Sequence, residues 1–142
     1  MAVLTAARNT LKRGTFDQNI YGAKVGNDIV YAGGLVSMLV SGGTGVILAG
    51  QDTDNHRCFG VASETVDGTG GTSPICDVFT EGEFLFNIVG ATAAVVGVPA
   101  HILDDQTVAI SGTSNTIGVG IITEFVDATH VWVKLNPYLV TA

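Results

Sequence analysis

The chain has 142 residues, of which 46% are hydrophobic, 19 are glycine and only 13% are charged. Its length fits one domain with a sizeable core, and two cysteines exclude a secreted disulfide framework. Ordinary soluble domains carry about 25% charged residues, so much of this surface must be apolar, glycine backbone or small polar groups. Because large apolar exposure marks contact sites, the composition predicts an assembling subunit. The alternative is a monomeric β domain with a neutral surface.

The charges are segregated along the chain. Residues 1–24 have a net charge of +3, and residues 25–142 have a net charge of −10. The basic residues of the first stretch are Arg8, Lys12, Arg13 and Lys24. This pattern predicts a basic N-terminal arm, residues 1–24, that docks on an acidic surface of a partner or a neighbouring copy, and a single β domain over residues 25–142. Nucleic acid is disfavoured because the acidic body would be repelled by phosphate, and a solvated tail is the alternative.

From Asp28 onward, short β-branched or aromatic runs alternate with turn residues. The predicted strands are Ile29–Tyr31, Leu35–Val40, Val46–Leu48, Phe59–Ala62, Ile75–Phe79, Phe84–Val89, Val95–Val98, Thr107–Ile110, Ile117–Ile122 and Val131–Leu135. Many short strands at a spacing of about 8–12 residues are typical of a sandwich or barrel. No helical period continues beyond residue 24. We therefore predict an all-β fold, a jelly-roll-like β-sandwich or a small β-barrel.

Two uncharged stretches, Ile29–Gln51 and Phe84–Leu103, are similar in length to membrane spans. Both are interrupted by glycine and polar residues, and neither has a basic flank, so we predict strands and turns there. No signal peptide is expected, because basic residues follow rather than precede the short apolar run at the start. Cys58 and Cys76 are predicted to be free, buried thiols, and the alternative is a disulfide between them.

No catalytic motif emerges from the sequence. Gly42-Gly43-Thr44-Gly45 lacks the lysine of a P-loop, and no Gly-x-Ser-x-Gly elbow is present. The carboxylate pairs Glu81/Glu83 and Asp104/Asp105 lie by turns, where solvated acids are expected. We therefore expect no enzymatic activity and no cofactor.

Metal ligands are equally incomplete. Asp52-Thr53-Asp54 begins like a calcium loop, but Arg57 stands where that loop needs glycine. His56, Cys58 and Cys76 would supply only three zinc ligands, and no second closely spaced pair completes the set. We expect no metal site.

The single tryptophan lies in a predicted strand, Val131–Leu135. Strand alternation places Trp132 on the face opposite Val131 and Val133. It is therefore an exposed platform or an interface anchor. Because aromatic residues are enriched at interface hot spots, we favour the anchor.

An ordered set of motifs over about residues 59–136 resembles the capsid decoration (cement) proteins of tailed bacteriophages. The segments that carry the resemblance are Glu81-Gly82-Glu83-Phe84-Leu85-Phe86, Val98 to Asp105 leading to Val108, Asn115-Thr116-Ile117-Gly118-Val119, and Val131-Trp132-Val133-Lys134-Leu135-Asn136. They correspond to a "G-x-F" strand, an acidic "DD" turn, an "IGV" strand and a closing "V-x-V-x-L" strand. The basic arm is not part of that pattern.

The resemblance implies a compact β-fold, a small homo-oligomer such as a homodimer or homotrimer, and no enzymatic activity. It implies the outer surface of an icosahedral head as location, with assembly in the host cytoplasm, and the major capsid protein as partner. Arg8, Lys12, Arg13, Lys24 and Trp132 are the residues we expect at the capsid or at a neighbouring subunit. The alternative is a head-fibre or adhesion module that binds carbohydrate.

Overall fold

The computed structural model describes residues 3–13, 20–40 and 42–136. The strands are β1 Lys12–Arg13, β2 Ile20–Val25, β3 Ile29–Val30, β4 Leu35–Leu39, β5 Val46–Ala49, β6 His56–Ala62, β7 Val66–Asp67, β8 Ile75–Phe79, β9 Glu83–Asn87, β10 Pro99–Ile102, β11 Val108–Ala109, β12 Gly118–Asp127 and β13 His130–Leu135. A single 3-10 turn, Ala93–Val95, accompanies them in the described ranges. The predicted all-β character, sandwich or small barrel, is confirmed.

Six strands form an antiparallel sheet in the order β1-β9-β13-β12-β10-β11. Its strands alternate as period-2 patterning requires. Phe84 and Phe86 are buried on β9, and Val131 and Val133 are buried on β13, whereas Trp132 between the valines is partly exposed. The sheet therefore has one apolar face and one mixed face, and Trp132 lies on the mixed face as predicted.

Five further strands close into a barrel in the order β2-β5-β4-β6-β8. The β2–β5 contact is parallel and the other ladders are antiparallel. The short strands β3 and β7 form a separate antiparallel pair. Val25, Ile47 and Val78 are fully buried and belong to the barrel's own core cluster.

A larger core joins the sheet to the barrel. It combines Phe86, Ile102 and Ile122 of the sheet with Leu35 and Val61 of barrel strands β4 and β6. These side chains are almost completely buried. The sheet and the barrel therefore share an apolar core in addition to the barrel's own cluster, as expected for packed sheets.

The N-terminal residues lie on this body. Residues 3–13, hereafter the N-terminal segment, contain no helix and end in β1, which pairs with β9. Residues 20–25, although inside the predicted arm of residues 1–24, form barrel strand β2. The arm that the charge pattern predicts, residues 1–24, therefore includes one strand of the barrel. Residues 14–19 are outside the described ranges.

Residues 3–13, 20–40 and 42–136 include no helix long and apolar enough to cross a membrane. The described residues of the two uncharged stretches form short strands and turns instead.

Ile121 and Ile122 provide a matched test of the sheet's orientation. Ile122 is fully buried and Ile121 only partly. Ile122→Ala should lower the free energy of unfolding by about 2–5 kcal/mol, since it leaves a cavity in the core. Ile121→Ala, the same deletion on the opposite face, should cost less than about half as much. Urea denaturation measures both; equal losses would contradict the orientation.

Candidate interaction site of the N-terminal segment

Two adjacent glycines let the N-terminal segment approach the body closely. The Arg8 amide donates to the carbonyl of Ala32 at 2.7 Å. Gly33 has φ +83°, and a Cβ there would overlap the Arg8 carbonyl. A Cβ on Gly34 would lie 2.8 Å from Leu4 Cδ1. The sequence motif Gly33-Gly34 therefore accommodates the segment as well as making a turn.

The guanidinium of Arg8 is half-buried among neutral acceptors. Its Nη1 donates to Thr10 Oγ1 at 2.7 Å and to the Leu85 carbonyl at 2.9 Å, and its Nη2 donates to Asn87 Oδ1 at 3.2 Å. Its Cζ lies 5.9 Å from the Phe86 ring centroid. Burial lowers the pKa of Arg8, but the group stays charged because arginine side chains do not lose their proton in proteins. This cation ties the segment to strand β9.

Arg13 lies between two carboxylates and an indole. Its Nε donates to Glu83 Oε1 at 2.5 Å, and its Nη1 is 3.2 Å from Glu124 Oε2. Its Cζ is 4.1 Å from the centroid of the Trp132 ring, a cation–π contact. Glu83 also accepts a hydrogen bond from the Thr123 hydroxyl.

The charges of this cluster reinforce one another. The hydrogen bond with Glu83 raises the pKa of Arg13, and the hydrogen bond from Arg13 lowers the pKa of Glu83 below its ordinary 4.5. The Arg13 and Glu83 side chains are 35% and 21% exposed. Such a partly screened pair is worth about 0–1 kcal/mol by itself, and the second carboxylate, Glu124, and the Trp132 ring add geometric specificity.

Further contacts continue along the segment. Its first described part is held by Leu4, whose amide donates to Asp105 Oδ1 at 2.8 Å. Its last part pairs with β9: the Leu85 amide donates to the Leu11 carbonyl at 2.9 Å, and Lys12 Nζ lies 4.8 Å from the Phe79 ring centroid.

We call the body residues that hold the segment the acceptor surface. Its main members are Gly33, Glu83, Asn87, Asp105, Glu124 and Trp132. Of the predicted partner-binding residues, Arg13 and Trp132 are thus in contact with each other, and Arg8 and Lys12 lie along the same edge of β9. Lys24 is elsewhere, exposed on barrel strand β2 opposite Ile75 and Val46. Binding of these residues to a partner stays a prediction.

Sequence reasoning missed five of the six main members of the acceptor surface, all except Trp132. Gly33, Asn87 and Asp105 contact the segment, yet only the two-glycine turn and the acidic turn were visible in the sequence. The expectation that Asp104 and Asp105 are solvated is wrong: they are 7% and 2% exposed. Their turn is packed under the N-terminal segment and the start of β4, where the Leu35 amide donates to the Asp105 carbonyl at 2.8 Å.

A cavity of about 430 Å³ beside Asp105 is lined by polar groups including Asp28 and Tyr31. Its carboxylates already accept backbone hydrogen bonds. Asp28 accepts from the amides of Ile29 and Ala49 at 2.8 and 3.0 Å, and Asp105 accepts from the Leu4 amide. Burial raises the pKa of Asp105. These carboxylates therefore fix loops and the N-terminal segment in place.

An apolar groove of about 380 Å³ lies at another place on the body. Apart from glycine and one serine, its lining is Ile88, Val89, Ala91, Val95, Leu103, Val108, Ala109 and Ile110. Val89 is 65% exposed and Ile110 is 40% exposed. The groove contains no titratable group, so it is suited to apolar contact and not to acid–base chemistry.

Both cysteines are free and buried, as predicted. Burial raises the pKa of Cys58 to about 12 and that of Cys76 to about 11, so neither is a reactive thiolate at neutral pH. Within residues 3–13, 20–40 and 42–136, no three His, Cys, Asp or Glu side chains are grouped to hold a metal ion.

No protein-family model matches the chain, and no curated protein matches it significantly.

Gly33→Ala should release the N-terminal segment. Gly112 has a nearly equal φ, +78° against +83°, but open space around its Cβ position, so Gly112→Ala is a matched control for backbone strain. Strain alone costs about 1–2 kcal/mol at either position. Only Gly33→Ala adds overlap with the Arg8 carbonyl, about 1–3 kcal/mol more, and changes Trp132 fluorescence. Equal losses in denaturant unfolding and unchanged fluorescence would show that the segment does not depend on Gly33.

Acid should weaken the attachment of Arg13. Because folding lowers the pKa of Glu83 below 4.5, its stabilising contribution is present above that pH and is lost as the pH falls through 4.5 and below. The chain has one tryptophan, so Trp132 fluorescence should report this change locally. Glu83→Gln should remove most of the fluorescence change at low pH. A full-size change in that variant would assign the transition to other groups.

Proposed function

We propose that this protein is a structural virion protein, a capsid decoration or cement protein on the outer surface of a bacteriophage head. Its partners are the major capsid protein and other copies of itself, and assembly takes place in the host cytoplasm. The order of motifs over about residues 59–136 supports this assignment. The observation that carries it is an apolar groove with exposed Val89 and Ile110 on a chain with only 13% charged residues.

The groove supports attachment by burial of apolar surface. Fully burying one Val or Ile side chain contributes about 1.5–3 kcal/mol. A standard interface of about 1,600 Å² needs a few such anchors surrounded by polar contacts. Repeated over many copies on a shell, such contacts strengthen the seams between capsid subunits without chemistry. A groove without titratable groups fits this role and no catalytic one.

The charge pattern predicted that the basic residues dock on a partner, whereas in this proposal they bind the N-terminal segment to its own chain. Arg8, Lys12 and Arg13 are engaged with the chain's own sheet, so they are not free to dock elsewhere in this conformation. The body then provides the attachment to the shell. Shell binding by the body should therefore depend only weakly on salt, because apolar burial is not screened.

The carbohydrate-binding alternative would use Trp132 as an open platform. One face of that ring is covered by the Arg13 guanidinium at 4.1 Å. A covered ring cannot stack on a sugar from that side, so the arrangement favours the decoration protein.

Shell binding tests the proposal. Phage heads prepared without the protein are mixed with it, and bound protein is measured by sedimentation and electron microscopy. Val89→Glu with Ile110→Glu should weaken binding by roughly 100-fold, since two apolar anchors are lost. Ile75→Glu is the control, because Ile75 is also exposed, at 54%, but lies on the barrel away from the groove.

Equal binding by the groove variant and the control would show that the groove is not the attachment site. Failure of the unaltered protein to bind such heads, together with binding to a glycan array, would overturn the decoration function in favour of the carbohydrate module.

A further inference from the structure

The N-terminal segment has little structure of its own. Within residues 3–13, the backbone bond between the Thr10 amide and the Arg8 carbonyl, 2.9 Å, joins the segment to itself. Its other backbone groups bond to the body, at the Ala32 carbonyl, the Leu85 amide and the Asp105 carboxylate. The segment is therefore held as an extended peptide is held by a receptor, and its position depends on the acceptor surface.

The acceptor surface is shaped for one kind of peptide. It offers the outer edge of β9 for strand pairing, and glycine at position 33 allows backbone-to-backbone approach. It offers neutral acceptors for one arginine at Leu85 and Asn87, and two carboxylates for a second, Arg13. Strand addition at an open edge, with side-chain sites that select the sequence, is an established mode of peptide recognition.

We propose that the acceptor surface of one copy also binds the N-terminal segment of a second copy, so that two copies exchange their segments. Every copy carries both the basic segment and its complementary acidic surface, and exchanged segments make the same contacts that they make within one chain. Exchange of an identical element is a low-cost route to a closed, two-fold dimer. This proposal is independent of shell decoration.

Chain length limits the geometry of the exchange. Residue 13 ends the segment and residue 20 begins the barrel strand β2. Seven residue steps span at most about 25 Å when fully extended. The acceptor surface of the second copy must therefore lie within about 25 Å of the point where β2 begins in the first.

Reversing the charges of the segment in one variant and of the acceptor surface in another distinguishes segment exchange from any other association between copies. Arg13→Glu places three carboxylates together, and Glu83→Arg with Glu124→Arg places three cations together, so each variant disfavours its own segment. In a mixture, each segment fits the other variant's acceptor surface. We expect native mass spectrometry to show a 1:1 complex at least about tenfold tighter than either variant with itself.

Two controls define the result. The triple variant, Arg13→Glu with Glu83→Arg and Glu124→Arg, restores the pairing within one chain. Lys24→Glu changes the net charge as Arg13→Glu does but lies on the barrel, so its mixture with the double arginine variant should not give the complex.

Circular dichroism must first show that each variant keeps its β-structure. If the double arginine variant fails to fold, Glu124→Arg alone replaces it, since the Glu124 side chain is 51% exposed. A 1:1 complex with Arg13→Glu but not with Lys24→Glu supports the exchange. Folded variants that do not associate, or that associate equally with Lys24→Glu, overturn it.

Discussion

The outer edge of strand β9 is the constraint on which the arrangement of this molecule depends. Unpaired strand edges are sites of unwanted pairing, and proteins protect them with short strands, charge or a covering segment. Here the N-terminal segment covers the edge. The Leu85 amide and carbonyl are bonded to Leu11 and to the Arg8 guanidinium. The new edge, β1, has only two residues, both basic.

The edge of β9 is protected by charged side chains, of which the chain has few. With 13% charged residues, few side chains can prevent association of exposed surfaces by charge repulsion. Three of the six basic residues lie along the outer edge of β9, where they contact Phe79, Phe86, Glu83, Glu124 and Trp132. The segregation of charge along the sequence therefore corresponds to complementarity between the N-terminal segment and the body. Many weak contacts act together there, and no single one dominates.

The sequence was sufficient for strands whose side chains alternate over four or more residues. Ile75–Phe79 was predicted with its observed limits, and Val131–Leu135 differs by one residue. Burial at Val131 and Val133 follows the predicted faces. Period-2 patterning is a local signal, so these elements do not depend on distant contacts for their recognition.

Elements stabilised by distant partners were missed or displaced. Lys12–Arg13 has no apolar alternation and is a strand only because β9 accepts it. Ile20–Val25 was hidden within a stretch assigned by charge. In the strand predicted at Val95–Val98, Val95 ends a 3-10 turn, and the next strand starts only at Pro99, a position at which a missing amide is tolerated.

The candidate site shows the same division. Arg8, Lys12, Arg13 and Trp132 were identified from residue type, because basic and aromatic side chains are chemically conspicuous. Gly33 and Asp105 were not, since their roles depend on the approach of a segment more than 20 residues away in sequence. A glycine pair reads locally as a turn, and an acidic pair reads locally as solvated surface. Only the fold shows that a peptide backbone passes over both.

The balance between a segment bound within its own chain and one bound to a neighbour is set by concentration. A short tether gives an effective concentration in the millimolar range, which favours the segment's own acceptor surface in dilute solution. Since the contacts are identical in both cases, their strength cannot decide between the two states. Copies crowded on a shell would reach comparable local concentrations, and exchange would then compete. Attachment by the apolar groove and exchange at the acceptor surface would thereby be coupled, although they use different surfaces of the same small domain.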